Sequence, residues 1–389
     1  MNVPKLRFKE FNNEWKNTSL NKIVNFSKGN LLSKADLEEE GLYPCILYGQ
    51  LYTKYSEVIR EVYSKTNRND KNLIMSKYGD VLIPSSGETP IDISTASCIM
   101  LDNILLGGDI NILSPNNCDG RFLSYMINNN KRKEIAKVAQ GHSVVHLYND
   151  NLRKINVNIP SLAEQNKISN ILELLDKKIE LQTKKIEDLK LFKLYTENNL
   201  LNSNASINWK ETKLSDILIE GNKIPVKNTN DFKKITIKLN LNGLEFNETK
   251  REMSDTRPFY VRDENEIIIG KQNYFNGSIA IVTKKFAGCI CSNAIMSFKV
   301  KEEFDLDYIY LYLSQKKYMK QREFLANGTG QKELSEREFL KFTIKIPDDS
   351  TIKRITSTIN SINNKINLEN NKLNKLMELK KGLMQNMFV

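Results

Sequence analysis

The sequence predicts an α+β chain: two tandem globular modules, joined and closed by two long helices that pair as an antiparallel coiled coil, in a pseudo-two-fold internal repeat. Three observations predict it. Two segments carry the same heptad frame 187 residues apart, the residues just upstream of them keep that offset, and the starts of the two halves match at an offset of 194. Repetition at a fixed spacing is weighed first, because a fold built by duplication is misread when the repeat is missed.

The first module is placed at residues 1–160 and opens with Trp15, Thr18, Leu20 and Ile23. The apolar run Val81-Leu82-Ile83 reads as a buried strand, and Ser85-Ser86-Gly87-Glu88 as the turn behind it. Phe122-Leu123-Ser124-Tyr125 starts an amphipathic helix, and Ala139-Gln140-Gly141 precedes Leu147, Lys154 and Ile159-Pro160. The first spacer helix, 161–203, follows. Its Ile168, Leu172, Leu175, Ile179, Gln182, Ile186 and Leu189 advance in alternating steps of four and three, which lays one seam along a helix. From Glu164 to Lys193 such a helix measures about 45 Å at 1.5 Å per residue. Pro160 sits where a missing amide is harmless, and Ser161 is placed to cap the first turn.

The second module, 204–348, repeats the plan with Trp209, Thr212, Leu214 and Ile217 at its start. Glu266-Ile267-Ile268-Ile269, Ala280-Ile281-Val282 and Ala294-Ile295-Met296-Ser297-Phe298 read as strands, with the turn Lys271-Gln272-Asn273-Tyr274 behind the first. Ile309-Tyr310-Leu311-Tyr312 matches the earlier helix start. Ala326-Asn327-Gly328, Leu334, Lys341 and Ile346-Pro347 keep the offset of 187. In the closing helix, 349–389, the seam is Ile355, Ile359, Ile362, Ile366, Glu369, Leu373, Leu376 and Leu383, with Lys380 at the intervening position. Asp348 or Asp349 is placed to cap it. The polar interruption Gln182 therefore recurs as Glu369. Asn363, Asn364, Asn370, Asn371 and Asn374 make this helix weak by itself, so it requires a packed partner. The first helix is that partner if the seam closes within the chain, and another copy of the chain if the heptads make a dimer.

A formal charge of +11, from 58 Lys and Arg against 47 Asp and Glu, suits a polyanionic partner. Cys45, Cys98, Cys118, Cys289 and Cys291 are odd in number and scattered, which argues against a disulfide scaffold, and Cys289-x-Cys291 is too tight for a zinc knuckle. The charged N-terminal residues and the absence of 18 consecutive apolar residues predict a cytoplasmic chain with no membrane partner.

If the polyanion is double-stranded DNA, phosphate contacts position the protein, while base identity requires polar groups aimed into a groove. The first-half candidates are Lys28, Tyr48, Gln50, Ser85, Ser86, Gln140, His142 and Ser143, on short turns such as Lys28-Gly29-Asn30 and Gln140-Gly141-His142-Ser143. Those of the second half are Lys271, Gln272, Asn273, Tyr274 and Asn276, followed by Thr329, Gln331 and Lys332 beside a Gly328-x-Gly330 turn suited to a phosphate-gripping nest. Ordinary solvent-facing turns are the competing reading for each. Trp15 and Trp209, matched at the two module starts, read as repeated core positions rather than stacking platforms.

Catalytic signals are lacking. There is no adjacent proline pair for an amino-methyltransferase motif and no Gly-x-x-x-x-Gly-Lys-Ser/Thr loop. Neither His142 nor His146 has a metal-ligating constellation around it. Asp348 with Glu378-x-Lys380 only superficially resembles a magnesium nuclease, since the latter two fall in the heptad helix.

The segment Ile159-Pro160-Ser161-Leu162-Ala163-Glu164-Gln165-Asn166-Lys167-Ile168, with its helix and the long-range duplication, resembles the specificity subunits of type I restriction–modification enzymes over nearly the whole chain. The second copy, Pro347-Asp348-Asp349-Ser350-Thr351-Ile352-Lys353-Arg354-Ile355, is degenerate and lacks the Glu-Gln pair. The resemblance implies a non-catalytic subunit whose two target-recognition domains read the halves of an interrupted, asymmetric DNA sequence. Two modification subunits would methylate adenine with S-adenosylmethionine, and restriction subunits, if present, would use ATP and magnesium; this chain would hold no cofactor or metal. The alternative function is a multisubunit coiled-coil scaffold with weak or no specific nucleic-acid binding.

Overall fold

A computed structural model describes residues 3–141, 144–201, 209–247, 257–325 and 333–389. The chain forms two compact units: residues 1–186 with 369–389, and residues 187–368. Each contains a sheet-and-helix module and a stretch of both long helices, so the fold is α+β with two repeated modules and a paired-helix linker.

In the first unit a five-stranded sheet runs in the order Val24–Lys28, Ile110–Pro115, Val81–Pro84, Ser97–Ile99, Val58–Ile59. Val81, Leu82 and Ile83 are fully buried, as a continuous β-branched and aliphatic run in a central strand requires. A separate ribbon pairs Lys16–Ser19 antiparallel with Asn156–Ile159, joining the module's start to the strand that feeds the long helix. The second unit repeats both devices. Its main sheet is Leu218–Glu220, Ile295–Val300, Ile267–Gly270, Ile279–Ile281, and its ribbon pairs Lys210–Lys213 with Thr343–Ile346. The registers match: Lys16 lies opposite Ile159, and Lys210 opposite Ile346.

The first long helix covers Leu162–Leu201, close to the expected 161–203 and an extension of two turns past the heptad span Glu164–Lys193, and at 40 residues it is about 60 Å long. The extension ends on Leu201, which is buried in the second unit's core with Leu214, Ile355 and Ile359. The second long helix covers Asp349–Met387. Both begin on caps at equivalent positions. The Ser161 hydroxyl accepts from the Glu164 amide at 3.4 Å, and the Asp348 carboxylate from the Thr351 amide at 3.0 Å. The hydroxyls of Ser350 and Thr351, with that amide, hold the Asp348 carboxyl well below the usual carboxylate range.

Within the first unit the helices run antiparallel. Ile168 and Leu172 share a core with Met384, Met387 and Phe388, Asp176 pairs with Lys380 at 2.7 Å, and Gln182 reaches Glu369 at 2.8 Å, so one residue number falls as the other rises. Within the second unit Leu200 and Leu201 pack with Ile352, Ile355, Ile359 and Ile362. The seam closes inside the chain.

The Glu-Gln pair of the resemblance segment clamps helix to module. Glu164, with its side chain 1% exposed, accepts two hydrogen bonds from Arg7 at 2.8 Å and one from the Trp15 indole at 3.3 Å. Buried Gln165 donates to the Pro160 carbonyl and accepts from the Asp119 amide, at 2.9 Å each. Asp119 in turn caps the helix Gly120–Met126, and Asp305 does the same for Leu306–Leu313. In the second copy the clamp is apolar, since the position equivalent to Gln165 is Ile352, buried in the core against which Trp209 packs. Trp15 is likewise a core residue, edge-on to Phe122 and Phe388. All five cysteines are free thiols, and burial pushes that of Cys45 up to about 11.

Candidate nucleic-acid interface

In the first module Lys28, Ser85, Ser86 and Gln140 gather at one end of the five-stranded sheet. The turn after Val81–Pro84 meets the turn before Ile110–Pro115: the Ser85 amide donates to the Asp109 carbonyl at 2.7 Å and its hydroxyl to the Asp109 carboxylate at 3.3 Å. Lys28, at the end of the neighbouring strand, lies 3.3 Å from the same carboxylate. A short ribbon pairs Ser86–Gly87 with Val145–His146, and the Leu147 amide donates to the Ser85 carbonyl at 2.9 Å. Gln140 and His146 exchange backbone hydrogen bonds at 2.7 and 2.9 Å. Residues far apart in sequence, 85–87 on one side and Gln140 with 145–147 on the other, are thus bound into one surface.

Exposure sorts the residues on it. Lys28 and Gln140 are exposed, while Ser85 and Ser86 are buried and hold the loops together, Ser86 through a 3.0 Å hydrogen bond with the His146 ring. Half-buried His146 stacks on exposed Tyr148. Gln50 needs correction as a base reader: its side chain is buried, accepts from the Leu47 amide at 3.0 Å and donates to Ser64 at 2.5 Å. Neighbouring Tyr48 is half-buried against the core containing Leu51 and Ile59. His142 and Ser143 lie outside the described residues.

The second module repeats the two-loop bond. The Leu334 amide donates to the Lys271 carbonyl at 2.9 Å, as Leu147 does to Ser85. Gln272, Asn273 and Asn276 are exposed on the turn after Ile267–Gly270, with the Asn276 amide bonded to the Asn273 side chain at 3.2 Å. Tyr274 is the second correction: it is fully buried, packs on Phe339 and donates to the Leu313 carbonyl at 2.9 Å, so it anchors the turn. Thr329, Gln331 and Lys332 lie outside the described residues.

Beside this turn opens a cleft lined by Lys213, Asn222, Lys223, Tyr260, Lys271 and Arg337, among others. Glu336 sits among its cations, 2.5 Å from Lys223 and 3.8 Å from Lys271. Most of these residues escaped sequence reasoning, because they come from separate segments and no local spacing marks them. His146 and Glu333 carry a signal only in hindsight. Each immediately precedes the buried leucine that bonds the first loop, so the same place in the two modules holds an imidazole in one and a carboxylate in the other.

Two residues of the superficial nuclease pattern have structural work instead. Asp348 is a helix cap, and Lys380 pairs with Glu57 at 3.0 Å and Asp176 at 2.7 Å. Among the described residues there is no cluster of three or more metal-ligating side chains, and no helix is long and apolar enough to cross a membrane.

The family model for the type I restriction modification DNA specificity domain matches this sequence twice, over residues 12–191 and 206–378. The chain belongs to that family. The starts of the two matches are 194 residues apart and their ends 187, the two offsets of the internal repeat. The specificity subunit is similar in fold to the S subunit of the type I restriction–modification system of M. genitalium, at 15% identity and a TM-score of 0.66, covering 100% of this chain and 99% of that one. A structure described as the basis of complex assembly and conformational transition of the type I R-M system matches at 12% identity and a TM-score of 0.53, covering 97% and 98%. No curated protein sequence matches significantly. As a DNA-specificity subunit of a type I system, the chain is non-catalytic.

Proposed function

We propose that the specificity subunit reads an asymmetric, interrupted DNA sequence, one part with residues 1–160 and the other with 204–348, and directs partner subunits that methylate adenine to it. The observation carrying this reading is the same backbone fastening in both modules, Leu147 to Ser85 and Leu334 to Lys271, with different side chains beside it. A common scaffold with unlike reading groups gives two half-sites of different sequence. His146 offers a ring nitrogen and Glu333 only acceptor oxygens, so the equivalent position favours different base edges in the two halves. Lys28 and the lysines around the second cleft supply sequence-independent phosphate attraction.

The modification subunits, and restriction subunits where the system cleaves, would bring S-adenosylmethionine, ATP and magnesium. Exposed Leu191, Phe192, Leu194 and Tyr195 on the first long helix are an apolar surface for one of them to cover.

The test is sequencing-based selection of bound DNA by the subunit reconstituted with its modification subunits, with the chain alone as control. Two different short patterns at a fixed gap are expected. Equally broad binding by a folded complex would replace this reading with that of a scaffold.

A further inference from the structure

At the centre of the helix seam the two repeats meet at their own equivalent positions. Gln182 and Glu369 occupy the same place in the two heptad frames, and they touch: the Gln182 amide donates to the Glu369 carboxylate at 2.8 Å and to its carbonyl at 2.9 Å. Lys185 and Lys372 are likewise equivalent, and both approach the other Glu369 oxygen, at 3.1 and 3.3 Å. The Glu369 side chain is 1% exposed, whereas each lysine is 51% exposed. One buried carboxylate thus takes an amide donor from the opposite helix and a cation from each. All four residues belong to the first compact unit.

This arrangement is satisfied only by unlike helices. Two copies of the first helix would set amide against amide and leave both lysines without a carboxylate. Two copies of the second would bring two buried carboxylates together with no amide donor between them, leaving only the half-exposed Lys372 of each helix. Carboxylates in that position cannot both ionise cheaply, and half-exposed, solvent-screened lysines do not offset the repulsion. Single polar residues at seam positions set register and partner in coiled coils generally.

We propose that Gln182 and Glu369 are the partner-selecting pair of the seam: the first helix takes as its partner a helix presenting a carboxylate at this place, and a second copy of the same helix is disfavoured. The pair keeps two unlike modules on one linker. It does so whether or not the DNA reading above holds, and its test reads stability rather than DNA binding.

All four pairings can be compared inside the full chain. Wild type presents Gln opposite Glu; the double variant Gln182→Glu/Glu369→Gln presents the reverse; Glu369→Gln presents two amides; and Gln182→Glu presents two carboxylates. At pH 8 the melting midpoint of Gln182→Glu is expected to fall by roughly 5 °C or more. The double variant is expected to return close to wild type, so that the two mixed pairings together outweigh the two like pairings. Equal sums would overturn the proposal. If Gln182→Glu does not fold, the double variant decides: folding supports pair selection, and failure means that position 182 does not tolerate a carboxylate and the proposal falls.

Discussion

Glu164 shows how much one buried carboxylate can demand of its neighbours. Its oxygens are served by Arg7 and the Trp15 indole, so Arg7→Ala would strand a charge that is almost wholly out of water. Removing one partner of such a pair costs about 3–5 kcal/mol. The urea midpoint of Arg7→Ala should fall accordingly, and a loss below about 1 kcal/mol would show that the clamp is not needed. Glu173 contributes to the pH dependence of stability. Burial pushes its carboxyl up, but hydrogen bonds and charge from Arg60 and Arg121 outweigh this and hold it below the usual value. A depressed folded pKa means that the stabilisation is fully present above the unfolded value of about 4.3 and disappears as pH falls through the folded one. Glu173→Gln should therefore lower the melting midpoint at pH 7 and much less at pH 3; a loss equal at both would count against the ion pair. At this scale the sequence was only partly legible. Trp15 was readable as core because it recurs at Trp209, but Gln50 and Tyr274 look like polar turn residues until Ser64 and the Leu313 carbonyl, neither predictable from local spacing, are brought against them.

The elements were the most legible part, since helix periodicity and capping are local. The caps at Ser161 and Asp348 and the seam itself follow from residues within a few positions of one another. The first long helix, predicted over 161–203, covers Leu162–Leu201, but what holds its last turns was not legible, because they lack the heptad signature and end on Leu201 in a core assembled from distant segments. If the paired helices set the gap between half-sites, deleting one heptad in register from both shortens them by about 10 Å, or about three base pairs of B-DNA. DNA selection with the folded variant should return a correspondingly altered gap, and an unchanged one would refute the ruler.

For the whole molecule, the duplication was readable from two offsets, 194 and 187, and both reappear in the strand registers that close each module. The surfaces were not, because loops joined through backbone bonds between distant residues, as 85 with 147 or 271 with 334, carry no mark in a linear pattern. Exchanging residues 204–348 for the equivalent module of another specificity subunit should change one half-site and spare the other; a change in both would refute independent reading. The core that buries Trp15 and Phe122 also contains Met384, Met387 and Phe388. During synthesis the first module therefore leaves the ribosome with part of its interior still unmade, while the unit formed by 187–368 draws on one unbroken stretch of chain. The half translated first thus completes its core only once the last residues of the chain have emerged, and until then it exposes the apolar surface they cover.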